Sequence, residues 1–394
     1  MNEVLFITGA TGAVGRQVAA RLLRGTDSEL YLLVHKKGVN LGVPALLRDV
    51  FGLDPEPELV ERVRLVVGDV EKEGLGLPGE VYRELEERVT GVMHAAACTR
   101  FDLSINRVRE INVGGTRRVL RLAGACRRLD RLGFVSTAFV AGKRSGTVYE
   151  GELEHECGFA NSYEQSKYEA EQVINRARER LPVAVYRLST LLGDSRTGEV
   201  THLTAPHQSL QIMHRGLAGL APGLPCCPVD LIPSDHAADA LFELFTTHFA
   251  AGLEAGVFHI TAGPAKSYTL EEILDASYLY LAECDPEWAR RDYPKPVITS
   301  WETFDLSLQT LKQAGNRFMY GVMHAVSHFA GQLSYPKRFD ATHLLSLLPD
   351  YERDLPHARD YYGKVVREVV VRSQGYERKQ GAIRSQGLPA TTDS

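Results

Sequence analysis

The chain has 394 residues, of which 44% are hydrophobic, 8% aromatic and 24% charged, with a formal net charge of -5. That length predicts one large α/β unit with an appended smaller region rather than a single small core. The composition is that of a globular protein, and the acidic balance supplies no overall basic field, so no nucleic-acid partner is expected.

The chain opens directly on a strand-like run, Val4 to Thr8, without the basic segment, apolar stretch and cleavage site of a signal peptide. Further strand candidates are Leu30 to Val34, Val63 to Val67, Gly91 to His94, Arg131 to Ser136 and Val183 to Leu188. Several are apolar throughout, as strands covered on both faces should be, and longer amphipathic segments separate them. A helix is predicted from Asn106 to Arg128, with Val108, Ile111, Val119, Leu122 and Ala123 inward. Its arginines, Arg117, Arg118, Arg121, Arg127 and Arg128, read as a solvated face, and an acidic carrier protein is the alternative partner for them. The alternation predicts a Rossmann-type doubly wound parallel sheet.

After Gly193 the prolines at 206, 222, 225, 228 and 233 break the rhythm, and a helix following Ser234 leads to a late strand, Gly256 to Thr261. The expected division is a dinucleotide-binding core over 1–193 and a smaller C-terminal substrate-binding region over 194–378, with 229–262 returning to the core. Tyr268 to Leu281 and Trp301 to Gln313 read as helices. The apolar stretch from Phe318 to Tyr335 is interrupted by His324, Ser327, His328 and Gln332, so a core or lid helix is expected rather than a membrane span. It could line a tunnel for a hydrophobic chain, although core packing is the plainer use. The polar segment 379–394 lacks periodicity and is expected to be a disordered tail. The six cysteines lack metal-ligand spacing and disulfide-scaffold density, which predicts a thiol-bearing cytoplasmic protein with no metal site.

Gly9, Gly12 and Gly15 follow the first strand as G-x-x-G-x-x-G, and Ala13 and Val14 begin the next helix. Glycines there let the backbone turn tightly and approach a pyrophosphate, whose charge suits the free N–H groups of a helix N-terminus; Thr11 lies in the same turn. At the end of the second strand, where folds that prefer NADH commonly place an acid, the chain has His35-Lys36-Lys37. This basic cluster predicts NADPH over NADH. Asp69 and Val70 end the third strand, where the carboxylate could meet an adenine amino group or cap a turn. Ala95, Ala96 and Ala97 follow the fourth strand, and their small side chains suit either a cofactor or core packing; Leu188 ends the sixth.

Tyr163 and Lys167 are four residues apart in Asn161-Ser162-Tyr163-Glu164-Gln165-Ser166-Lys167 and share one face of a helix. A neighbouring ammonium is expected to lower the phenol from its ordinary value near ~10, so that it can exchange protons near neutrality. The pair follows a strand ending Phe134-Val135-Ser136-Thr137-Ala138, whose Ser136 and Thr137 compete to hold a substrate oxygen. In that arrangement Tyr163 protonates the oxygen, and Lys167 holds the nicotinamide ribose.

With these residues placed, the chain resembles the extended short-chain dehydrogenase/reductases, and within them the fatty acyl-CoA reductase, male-sterility and thioester-reductase branch. The resemblance rests on Thr8-Gly9-Ala10-Thr11-Gly12, Gly68-Asp69-Val70 with Leu75-Gly76-Leu77, His94-Ala95-Ala96, Asn112-Val113-Gly114-Gly115-Thr116, Val135-Ser136-Thr137-Ala138, and Tyr163 with Lys167. Val229-Asp230-Leu231-Ile232-Pro233 and Asp235 extend it towards residue 270. It implies a Thr137, Tyr163 and Lys167 triad, NADPH as reductant, and reduction of an acyl thioester on CoA or a carrier protein to aldehyde or alcohol. The branch usually has an arginine where this chain has His35, which leaves Lys36, Lys37 or Arg48 to hold the 2'-phosphate. No adenylation or carrier domain fits in this length, so an acyl carrier protein would act in trans. The same residues also suit a ketone or aldehyde reductase of a hydrophobic metabolite, or a sugar-nucleotide epimerase or dehydratase.

Overall fold

The computed structural model describes residues 3–35, 42–101, 103–248 and 256–385. The chain forms two compact units: Met1–Leu191 with Asp230–Gly263 and Lys337–Leu355, and Leu192–Val229 with Pro264–Pro336 and Pro356–Ser394.

The first unit is built on seven strands, β1 (Val4–Thr8), β2 (Glu29–Val34), β3 (Val63–Val67), β4 (Gly91–His94), β5 (Arg131–Thr137), β6 (Val183–Leu188) and β7 (Val257–Ile260). All pair in parallel, in the order β3-β2-β1-β4-β5-β6-β7. The order reverses between β1 and β4, and at such a switch point the carboxyl ends of the strands open a crevice. Side chains alternate between faces along each strand, so Leu5 and Ile7 join one apolar layer and Val4 and Phe6 the other. The first layer is completed by α1 (Gly15–Gly25), and the second by α2 (Gly79–Arg88), α3 (Gly115–Ala125) and α4 (Ser162–Ala177). Helix α5 (Ser234–Glu243) lies on the α1 side, supplying Ala237 and Leu241.

Several segments differ from expectation. The helix foreseen over Asn106 to Arg128 is interrupted: Ile105–Arg109 passes through a π-helical turn, Glu110–Gly114, into α3. There Gly115 lies against Val70, where an added Cβ would come within 3.2 Å of the valine. Lys337–Leu355 also returns to the first unit, pairing Lys337–Phe339 in parallel with Gly146–Val148 and burying Leu344 and Leu355. A strand of three residues carries too little periodicity to be read from sequence. Finally, the last helix runs Ala358–Ser385 and so covers the start of the segment expected to be a disordered tail. Its buried Tyr361, Val365, Val366 and Val369 anchor it, and the arginine, lysine and glutamine residues that follow are good helix formers.

The second unit pairs Pro228–Val229 with Tyr268–Thr269 and Leu220–Pro222 with Val297–Thr299. Its helix Leu270–Cys284 starts at a capping box in which Thr269 and Glu272 satisfy each other's backbone N–H groups. The apolar stretch forms Arg317–Ala330, but only Ala330 within it is buried and Phe318 is 65% exposed, so of the core or lid helix expected it is not the core helix. Among the described residues, no helix is long and apolar enough to cross a membrane.

Candidate active site

Strand β1 delivers the chain to Gly9 at φ 74°, and the Gly12 N–H donates to the Gly9 carbonyl at 2.9 Å. An added Cβ at Gly9 would lie 2.6 Å from the Ala96 nitrogen, and one at Gly15 only 2.1 Å from the Gly9 oxygen. The turn, the start of α1 and the Ala95–Ala96 segment therefore touch backbone to backbone, which requires glycine on one side and small residues on the other. Thr11 to Val14 form the turn itself, because α1 begins at Gly15. Among the described residues, the Ala13 and Val14 N–H groups find no backbone acceptor, leaving them free for an anion.

Other expected cofactor residues are distributed around the same edge. His35 is exposed at the end of β2 and Arg48 is exposed on the turn Leu46–Val50, whereas Lys36 lies outside the described residues, as does Lys37. The Asp69 carboxylate accepts from the Glu71 N–H at 2.9 Å, so it caps a turn. That turn is tied by the Asp69 N–H to the carbonyl of Leu75, a buried residue at φ 58°. Ala97 is half-buried, and the Leu188 carbonyl at the end of β6 accepts from the Thr137 hydroxyl at 3.2 Å.

Helix α4 starts where Asn161 accepts from the Glu164 N–H at 2.9 Å and the Glu164 carboxylate accepts from the Ala160 N–H and the Asn161 side chain. This cap sets Tyr163 in the first turn, with the ring of Phe101 edge-on at 5.7 Å. The phenol neighbours the Thr137 hydroxyl, which favours its ionised form. Ser136, on the opposite face of β5, gives its hydroxyl to Glu171 instead, so the structure separates the two competing hydroxyls. Lys167 is buried, donating to the Val135 carbonyl at 2.8 Å with its nitrogen 4.0 Å from the centre of the Phe134 ring.

The electrostatics depart from expectation. Burial pushes the Tyr163 phenol up, helped by the Glu164 charge, and only the Thr137 hydroxyl opposes this. Lys167 is itself pushed down to about 7 by burial, with Glu171 acting the other way. A lysine that is only partly charged near neutrality cannot deliver the acidified phenol inferred from spacing alone. Desolvation outweighs the neighbour in both groups.

Sequence reasoning overlooked the bracing around this pair. Asn112 takes the Cys98 N–H at 2.7 Å and donates to the Ser166 hydroxyl at 2.9 Å, and Ser166 donates to the Tyr163 carbonyl. One buried amide thus ties the chain after β4 to the helix that carries the phenol. His94 bridges the Thr8 hydroxyl at 2.7 Å and the Thr116 hydroxyl at 3.1 Å. Burial lowers it to about 3, so it stays neutral. The signal was present in the polar ends of otherwise apolar strands, where a buried donor or acceptor needs a partner.

A family model described as male sterility protein matches residues 7–241. The chain belongs to this family. It is therefore a member of the extended short-chain dehydrogenase/reductases, in the branch that includes fatty acyl-CoA reductases and thioester-reductase domains. One linear gramicidin synthase subunit from Brevibacillus parabrevis is 30% identical over 279 residues, covering 68% of this chain and 5% of that protein. Fatty acyl-CoA reductase wat of Drosophila melanogaster is 27% identical over 278 residues, covering 61% of this chain and 53% of its own length. The chain thus spans a small part of the first relative and about half of the second. The terminal R domain of the myxalamid PKS-NRPS pathway shares the fold at a TM-score of 0.75 and 24% identity, with 94% of this chain and 91% of that one covered. A family member of this kind takes a nicotinamide dinucleotide. The glycine cradle that a Cβ would fill and the two free N–H groups of the turn fit the pyrophosphate of such a cofactor.

Proposed function

We propose that this male sterility family member is an NADPH-dependent reductase of acyl thioesters, presented on CoA or on a carrier protein. The observation that carries the reading is the meeting of Tyr163 with Thr137 at the carboxyl edge of the same sheet whose switch point holds the glycine turn. Gly9, Gly12 and Gly15, with the Ala13 and Val14 N–H groups, would hold the dinucleotide, and His35, Lys36 or Arg48 its 2'-phosphate. The bound cofactor would supply hydride to the carbonyl carbon.

The chain's own residues do the rest. The Thr137 and Tyr163 hydroxyls hold the substrate oxygen, and Tyr163 gives it a proton as negative charge develops. The raised phenol suits this role, because it keeps the proton until a stronger base forms beside it. Lys167 has three donors, of which one is occupied by the Val135 carbonyl, leaving others for the ribose hydroxyls. Release of the thiol leaves an aldehyde, and a second round would give the alcohol.

Incubation of the purified protein with NADPH and a series of acyl-CoA thioesters tests this reading. Cofactor oxidation matched by free thiol is expected. Oxidation only with ketones or aldehydes, without thiol release, would replace the thioester assignment.

A further inference from the structure

Behind the Tyr163–Lys167 pair lies a buried polar cluster with no place in the chemistry described so far. Glu171 sits one helical turn beyond Lys167 on α4 and is 1% exposed. Arg187, from β6 and also 1% exposed, grips it: the guanidinium Nη2 lies 2.7 Å from Oε2, and Nε lies 3.0 and 3.1 Å from the two oxygens. Ser136 of β5 donates to the same carboxylate. Arg187 cannot turn away, because its Nη1 also donates to the carbonyls of Glu150 and Glu152 and to His259 Nε2. His259 in turn contacts the Asp340 carbonyl through Nδ1 at 2.7 Å.

We infer that Glu171 is a positioning residue: its buried carboxylate, locked by Arg187 and Ser136 one helical turn from Lys167, favours the charged form of that lysine. The inference rests on the reading of Tyr163 and Lys167 as the reacting pair.

The surroundings of Lys167 assign this role to Glu171. From β5 the ammonium meets only the Val135 carbonyl and the Phe134 ring. From β4 the nearby His94 is kept neutral by burial, and on its own helix Tyr163, one turn earlier, has a raised phenol that carries no charge at neutrality. Among the described residues, Glu171 is the one carboxylate acting on Lys167, against desolvation. Glu171 itself faces Arg187 from β6 and Arg178 from the end of α4. Behind Arg187, His259 of β7 is held neutral by burial. The Glu150 carboxylate there is taken up by the N–H groups of His259, His343 and Leu344. An ion pair has little net charge at a distance, but here its negative member shares the helix face with the lysine. Placing two charges out of water is costly, and function on Lys167 gives the pair a reason to persist.

The direct test follows the 13Cε chemical shift of Lys167 against pH in protein labelled with 13C-lysine, the signal being assigned with Lys167→Arg. Glu171→Gln should lower the midpoint by about one pH unit. Because that variant leaves Arg187 buried without its partner and could fail to fold, Glu171→Gln/Arg187→Gln is measured beside it, and the same downward direction is expected. In turnover of dodecanoyl-CoA with NADPH, kcat/KM should fall about tenfold near pH 8 and about twofold near pH 6, following the fraction of charged lysine. A structural role alone would depress turnover equally at both. Unchanged midpoints in the folded variants overturn the inference and leave the proposed function standing. Full turnover in Lys167→Ala overturns the reading of the pair itself, and this inference with it.

Discussion

Among the glycines near the cofactor turn, geometry predicts a graded response to a single added methyl. In Gly15→Ala the new Cβ would stand 2.1 Å from the Gly9 oxygen and 2.8 Å from its carbonyl carbon. Relief needs a shift of about an ångström, and Gly9 has nowhere to go because its Cα side already abuts the Ala95–Ala96 backbone. Overpacking of this kind costs about 1–3 kcal/mol, and a loss of about 2 kcal/mol corresponds to a Tm lower by roughly 4–8 °C in a domain of this size. Gly12→Ala meets only the Gly9 oxygen, at 3.2 Å, which a few tenths of an ångström relieve, so stability should change by less than about 1 kcal/mol. Its methyl otherwise enters the open side of the turn, where a pyrophosphate would lie, and affinity for NADPH should fall at least about tenfold, or ~1.4 kcal/mol. Gly124→Ala is the control: nothing lies within 4 Å, the site is exposed on α3, and a gain of about 0.5–1 kcal/mol is expected. Thermal unfolding and fluorescence titration with NADPH read both quantities. Equal stability losses in Gly12→Ala and Gly15→Ala, or wild-type cofactor affinity in Gly12→Ala, would refute the reasoning.

Further outcomes follow from the same site. Tyr163→Phe should abolish turnover while leaving NADPH affinity within about twofold of wild type, since the ring still packs on Phe101 and only the proton donor is lost; substantial residual turnover removes the phenol from its role. Thr137→Ala should lower kcat at least about tenfold, whereas Ser136→Ala removes a bond to Glu171 and should cost about 1 kcal/mol of stability with a smaller effect on kcat; the reverse ranking would exchange the two hydroxyls. Stability should fall in acid through His94 and His259, both held to about 3 by burial. Their folded values lie below the unfolded value near ~6.5, so stability is full above about pH 6.5 and is lost as the pH falls towards 3, each histidine contributing about 2 kcal/mol of loss by pH 5. Urea unfolding at pH 7 and pH 5 measures this, and His94→Asn should reduce the difference.

The sequence by itself determined the framework. Apolar runs of strand length, each followed by an amphipathic segment, specify a parallel sheet, because a strand covered on both faces and a helix covered on one leave distinct periodic signatures. Val4–Thr8, Val63–Val67, Gly91–His94 and Val183–Leu188 therefore appear at the positions read from sequence, and the spacing of Tyr163 and Lys167 places them on one helix face. Other features rest on contacts between residues far apart in the chain. The assignment of Thr137 to the phenol and Ser136 to Glu171 depends on which face of β5 meets α4. Gly15 is required by a carbonyl six residues earlier, and that carbonyl is held by a segment some eighty residues later. The charge states of Tyr163 and Lys167 departed from expectation for the same reason: spacing identifies the neighbour, but only the packed interior sets how much water is removed, and here desolvation is the larger effect.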